Sequence, residues 1–299
     1  MLWPGSTALL VLSGLALIGA VQTAVYHAEV VAHRLGEPFG TLVLAIAVTV
    51  IEVALIVSVM LSGAADKATL PRDTIYAAVM IICNGVVGLC LLVGGLRHHE
   101  QTYRIEGATS GLAALVALCT LSLVLPAFTI SSPGGTYTAG QLAFAAVASL
   151  VLWALYVFVQ TVRHRDYFLP ADRASDEELH AAPPSNALAL ASFGLLLVAL
   201  VAVVGLAKVL SPSIEAAVTA SGAPKTVIGI TIALLVLLPE TWAAVRAAHV
   251  DRIQTSMNLA YGSAMASIGL TIPVVAAASV YMGMPLVLGL DPKDLVLLT

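Results

Sequence analysis

Eight stretches of the chain, at about 7–31, 38–62, 74–95, 108–127, 137–162, 187–209, 223–246 and 256–282, are each 20 residues or longer, strongly apolar and nearly free of charge. About 20 residues of helix cross the roughly 30 Å of hydrocarbon in a bilayer, and a helix satisfies its own backbone there. A membrane β-barrel would instead show alternating segments of about ten residues with aromatic girdles. These stretches are rich in Leu, Val and Ala without alternation, and only 6% of the chain is aromatic. The expected fold is an all-α polytopic membrane protein. Only 10% of the residues are charged, against about a quarter in soluble domains, which argues against a soluble globular enzyme.

Lys and Arg in the connecting loops set the expected orientation. Arg34, then Arg97 and Arg104, then Arg163, Arg165 and Arg173, then Arg246 and Arg252 fall on one side. Lys67, Arg72, Lys208, Lys225 and Lys293 fall on the other, an eight-to-five bias. The richer side is expected to face the cytoplasm, with both chain ends outside. The longest polar stretch, 163–186, separates a five-span half (1–162) from a second half (187–299) and carries Asp166, Asp172, Asp176, Glu177 and Glu178. It is expected to be a cytoplasmic acidic linker, either simply solvated or gathering cations at the mouth. Net charge −4 without a dense basic run argues against nucleic acid as a partner. Cys83, Cys90 and Cys119 lie in apolar runs without metal-binding spacing and read as small core residues. Met1–Gly5 lacks the positive start of a signal peptide, so no leader is expected to be removed.

An ionisable side chain at membrane depth is expensive and points to function. Of the 17 acidic residues, Glu52 in AIAVTVIEVALIVSV and Glu240 in ITIALLVLLPETWAAV lie well inside apolar runs. They occupy the second and seventh stretches, and this odd offset threads their helices in opposite directions. Secondary transporters built from inverted repeats place an ion site at the midplane in this way, on interrupted helices. Pro239 has no N–H to donate, so an interruption is expected beside Glu240; Thr49, one turn before Glu52, can turn its hydroxyl to the same face. The stretch after each glutamate is small and polar: Asn84 with Gly85 and Gly88, then Asn258, Ser263, Ser267 and Thr271 with Gly262, Gly269 and Pro273. Their amide and hydroxyl oxygens suit hard cations, the plainer alternative being hydrogen bonds between helices. His98, His99 and Glu100 in RHHEQTYR are expected to form a solvated loop cluster, and His27, Glu29 and His33 to line an entry path without being ligands. There is no Walker A string, HExxH or dinucleotide fingerprint, so enzyme activity is not expected.

Four segments, RLGEPFGTLVLAIAVTVIEVALI (34–56), RDTIYAAVMIICNGVVGLCLLVGG (72–95), QTVRHRDYF (160–168) and LLPETWAAVRAAHVDRIQTSMNLAYGSAMASIGLTIP (237–273), resemble the calcium/cation antiporter superfamily. Within it the similarity is to the ChaA-like branch of bacterial cation/proton antiporters. The resemblance implies an inverted-repeat exchanger fold with its α-repeats at 34–95 and 222–273. It makes Glu52 and Glu240 the central cation and proton ligands and Asn84, Ser263 and Ser267 their polar neighbours, with Thr49 added by our reading of the second stretch. The implied activity is antiport of cytoplasmic cations, Ca²⁺ and/or Na⁺ or K⁺, for external protons by alternating access. A cation channel, or a non-transporting subunit or fragment needing a partner, are the alternatives. No cofactor is implied beyond the transported ions. The partners are membrane lipid and those ions, a homo-oligomer is left open, and the location is the bacterial inner membrane. The GN string of the calcium/proton exchangers is replaced by VTVIE and LLPE, so calcium is not singled out among the cations. Compared with the family pattern, a leading span and the last two spans of the second repeat are expected to be missing, as in a fragment or a reduced form.

Overall fold

The computed structural model describes residues 7–36, 39–61, 68–169, 184–222 and 226–298. Ten helices run in order: α1 (Thr7–Leu35), α2 (Phe39–Leu61), α3 (Leu70–His98), α4 (Ile105–Phe128), α5 (Ala139–Arg163), α6 (Asn186–Ala220), α7 (Thr226–His249), α8 (Ile253–Gly269), α9 (Thr271–Met282) and α10 (Pro292–Leu298). Among the described residues there is no strand, only an isolated bridge between Thr136 and Val287. Each expected apolar stretch coincides with helix, the last as the pair α8 and α9. Among the described residues, six segments, α1, α3, α4, α5, α6 and the α8–α9 pair, are long and apolar enough to cross a membrane. Their outer faces carry large exposed apolar side chains such as Leu12, Phe144, Leu190 and Val201, which water would penalise and lipid tails accept. The acidic linker expected at 163–186 lies mostly outside the described residues, Asp172, Asp176, Glu177 and Glu178 included.

Two compact units each draw on both halves of the chain. The first contains α1, α2, α6 and α7 as far as Val236. Leu17, Val21, Ala24, Ala28 and Val31 form a buried stripe on α1, and Ser192, Leu196, Ala199, Val203 and Ala207 form one on α6. Both repeat every three to four residues, the period that keeps one helical face inward, and their alanines let the two backbones approach. Arg34 at the end of α1 donates through Nε to Asn186 Oδ1 at the start of α6 at 2.7 Å. The two long helices therefore run antiparallel. α2 packs against both.

The second unit contains α3 from Pro71, α4, α5, α7 from Leu237 and α8 to α10. α8 is its most enclosed helix: Ala264, Met265 and Ile268 have no exposed surface, and it packs on α3, α4 and α5. Small residues make this possible. A Cβ on Gly269 would lie 2.5 Å from Trp153 Cβ of α5. Polar ties cross the apolar interior: Ser256 Oγ donates to the Ala244 carbonyl at 2.6 Å, and Ser122 and Ser149 pair at 3.3 Å. α5 starts from a capping box, in which Thr138 Oγ1 accepts from Gln141 N and Gln141 Oε1 accepts from Thr138 N.

Three of these helices widen into single π turns, at Ile81–Val86 in α3, Thr120–Val124 in α4 and Val159–Arg163 in α5. The break at Leu270 between α8 and α9 has a covalent cause in Pro273, which lacks the N–H that would bond Gly269 and whose ring crowds that carbonyl. Pro239 behaves otherwise. The interruption expected beside Glu240 is absent, and α7 runs helical through Pro239, as α6 runs through Pro212.

Residues 283–298 follow α9. They pass over the second unit as a strap in which Leu286, Leu288 and Leu290 are buried, and end in the seven-residue α10. Gly289 N and Leu288 N donate to the Gly135 carbonyl at 2.8 and 3.2 Å, and Leu290 N donates to the Leu123 carbonyl at 3.0 Å. Beside the strap, Tyr137 donates its hydroxyl to the Leu121 carbonyl at 2.6 Å, and burial pushes its phenol from 10.0 up to about 12. A raised acid favours the neutral form in the folded state, so this contribution is complete below about pH 10 and lost as pH rises toward 12. Thermal unfolding between these pH values should fall more steeply in the wild type than in Tyr137→Phe. Equal slopes would remove Tyr137 from the linkage.

Candidate functional site

In the first unit the candidate residues sit on α2. Glu52 is 2% exposed and Thr49, one turn earlier, 6%. Their shared face is continued by Ile56, also fully buried. Thr49 Oγ1 meets no hydrogen-bond partner among the described residues. A buried hydroxyl in that state forgoes about 1–3 kcal/mol.

The second unit holds the other four. Asn84 lies inside the π turn of α3, exposed, with Nδ2 donating to the Met80 carbonyl at 3.2 Å. π turns inside α-helices recur at functional sites because the extra residue turns side chains out of register. α8, which carries half-buried Ser263 and fully buried Ser267, packs against this π turn. Thr271, the first residue of α9 after the break, is fully buried, and its Oγ1 has no partner among the described residues. Glu240 on α7 is half-buried, and α7 is tied to α8 one turn later through Ser256. Asn84, Ser263, Ser267 and Glu240 thus share one unit, while Thr49 and Glu52 share the other.

The two glutamates occupy equivalent places on their helices. Glu52 is nine residues before Leu61, the end of α2, and Glu240 nine before His249, the end of α7. At 1.5 Å per residue each carboxyl lies about 14 Å from its helix's C-terminal end and about 20 Å from its start. Both lie near the middle of their helices.

The histidine cluster departs from expectation. His98 is not simply solvated: its Nε2 is 2.9 Å from the His249 carbonyl at the end of α7. Three features carry no local sequence signature and were missed: the π turn around Asn84, the strap, and the polar corner in which Gln101, Gln254 and Asn258 participate. His27, placed on an entry path by the sequence, is half-buried on α1 with Nδ1 unpartnered among the described residues.

A helical fold with several segments apolar enough to cross a membrane, and a glutamate near the middle of each of two further helices, fits the build of a secondary ion transporter. The sequence pattern of the sodium/calcium exchanger protein family matches residues 5–162 and 191–291, and the chain belongs to that family. It is 50% identical over 294 residues to a Sinorhizobium fredii protein named as an ionic transporter, y4hA, covering 98% of this chain and 79% of that one. It is 35% identical over 305 residues to the sodium-potassium/proton antiporter ChaA of Escherichia coli strain K12, covering 99% and 82%. Among solved structures it shares the fold of the H⁺/Ca²⁺ exchanger CAX, with a TM-score of 0.69 at 15% identity over 95% of this chain and 70% of that one. The resemblance read from the sequence is borne out: the protein is a multi-pass membrane antiporter of the cation exchanger class.

Proposed function

We propose that the protein exchanges cytoplasmic cations for external protons, with Glu52 and Glu240 as alternating ligands for both. The observation that carries the reading is their equivalence: two carboxyls nine residues from the ends of their helices, on stretches five apart in the chain. A carboxyl in low dielectric is stable when protonated or when a cation neutralises it, so proton and cation compete for one place. If the occupied protein alone changes access, an inward proton gradient drives cation outward. Neutral oxygens suited to a hard cation accompany each glutamate within its own unit: Thr49 Oγ1 on the helix of Glu52, and Asn84 Oδ1 with the hydroxyls of Ser263 and Ser267 in the unit of Glu240. The ChaA relative favours Na⁺ and K⁺ as the cations, and the missing GN strings favour them over Ca²⁺. The setting is the bacterial inner membrane, with the Arg-rich loops inside.

The test is a panel of Na⁺, K⁺ and Ca²⁺ in proteoliposomes carrying a proton-sensitive dye. An acid pulse on one side should drive a cation toward that side against its own gradient. Cation flux that only follows the electrochemical gradient would replace the antiporter with a channel.

A further inference from the structure

The α3–α4 corner, RHHEQTYR, and the α7–α8 turn, HVDRIQ, are both outside the proposed ion site, yet the fold joins them. We propose that Gln101 is a positioning residue that latches the Glu240 helix to the helix of Asn84, an inference that rests on the role proposed for Glu240.

The last carbonyls of a helix have no donors within it. At the end of α7 they receive side chains from the corner: Gln101 Nε2 donates to the Ala248 carbonyl at 3.2 Å, and His98 Nε2 lies 2.9 Å from the His249 carbonyl. The same Gln101 nitrogen donates to Asp251 Oδ1 at 2.9 Å in the turn that follows. Its other amide atom is seated on α3, because a Cβ on Gly94 would run into Gln101 Oε1. One amide therefore touches α3, the end of α7 and the α7–α8 turn, and only glycine at position 94 leaves it room. From Ala248 back to Glu240 is eight residues, about 12 Å of helix. That stretch holds no proline, since Pro239 lies beyond Glu240. Any slip or rotation at the latch passes undamped to the carboxyl, and ligand sites lose function with misplacements near 1 Å. The interactions are lodged in a corner, so the effect is on where Glu240 stands rather than on its chemistry.

Gln101→Glu would set a carboxylate against Asp251. In proteoliposomes titrated in turn with Na⁺, K⁺ and Ca²⁺, it should raise the half-saturating concentration of whichever is exchanged by about tenfold, with little change in maximal rate. Asp251→Asn added to it restores a donor facing the introduced carboxylate and should return most of the affinity. Asn suits the left-handed backbone there, φ 62°. Gln101→Ala gives the same shift without added charge and serves if the glutamate variant does not fold. Unchanged half-saturation in a folded Gln101 variant, or a double variant no better than the single, would overturn the latch. Glu240→Gln run alongside separates the failures. Exchange that survives it removes the role of Glu240 and the latch together. Exchange that it abolishes, but that Gln101→Glu leaves untouched, removes the latch alone.

Discussion

Glu52→Gln and Glu240→Gln should each reduce proton-coupled cation exchange to the level of empty liposomes while leaving a monodisperse, helical protein. Glutamine keeps the length and the hydrogen-bonding capacity of the side chain. It cannot carry a negative charge to attract a cation, nor hold a proton that the cation displaces, so both half-reactions are lost at once. Helix packing, by contrast, changes little, because a neutral amide in that place is no harder to bury than a carboxylic acid. Thr49→Ala makes a graded comparison. Its hydroxyl has no hydrogen-bond partner among the described residues, so removal should raise the half-saturating cation concentration by about tenfold, near 1.4 kcal/mol, with no loss of thermal stability. Fluorescence assays on all three variants in one lipid preparation check both statements. Full exchange by either glutamine variant would end the role proposed for that glutamate, and a Thr49→Ala protein that melts early would make the hydroxyl structural.

The helices were legible because lipid imposes a length and a polarity on every crossing segment, and composition records both. Glu52 and Glu240 were legible for the same reason: a carboxyl in a long, mostly apolar run is conspicuous against a background that excludes it. The irregular backbone was not. A π turn inserts one residue without a residue type of its own, so Asn84 in IICNGV reads as ordinary helix. Proline misled in one place and informed in another. Pro239 suggested a break that α7 does not have, whereas Pro273 explains the one found three residues upstream. The Gln101 corner was invisible because its partners are about 150 residues apart, and no local pattern records such a meeting.

Arg72→Ala should be the most destabilising single change in the second unit. Arg72 and Asp73 have side chains only 9% and 10% exposed, and Arg72 Nε and Nη2 both lie 2.9 Å from Asp73 Oδ1. The remaining arm, Nη1, donates to the Gly289 carbonyl at 2.8 Å and so fastens the strap to the start of α3. Truncation would take the guanidinium from the buried Asp73 carboxylate and the donor from the strap carbonyl, a loss of about 3 kcal/mol. Lysine cannot replace it, since a single ammonium does not reproduce three donors in a fixed fork. Asp291 is a different case: it lies 3.8 Å from Arg72 with its side chain 71% exposed, and Asp291→Asn should change stability by less than about 1 kcal/mol. A double change of Arg72→Met with Asp73→Leu removes both charges together and fills their places with apolar volume, and should cost less than Arg72→Ala. Thermal unfolding in detergent ranks the three proteins. Tryptic cleavage after Lys293 reads the strap, and should quicken in Arg72→Ala as Gly289 loses its anchor. A double variant less stable than the single would show that the ion pair contributes favourable energy of its own.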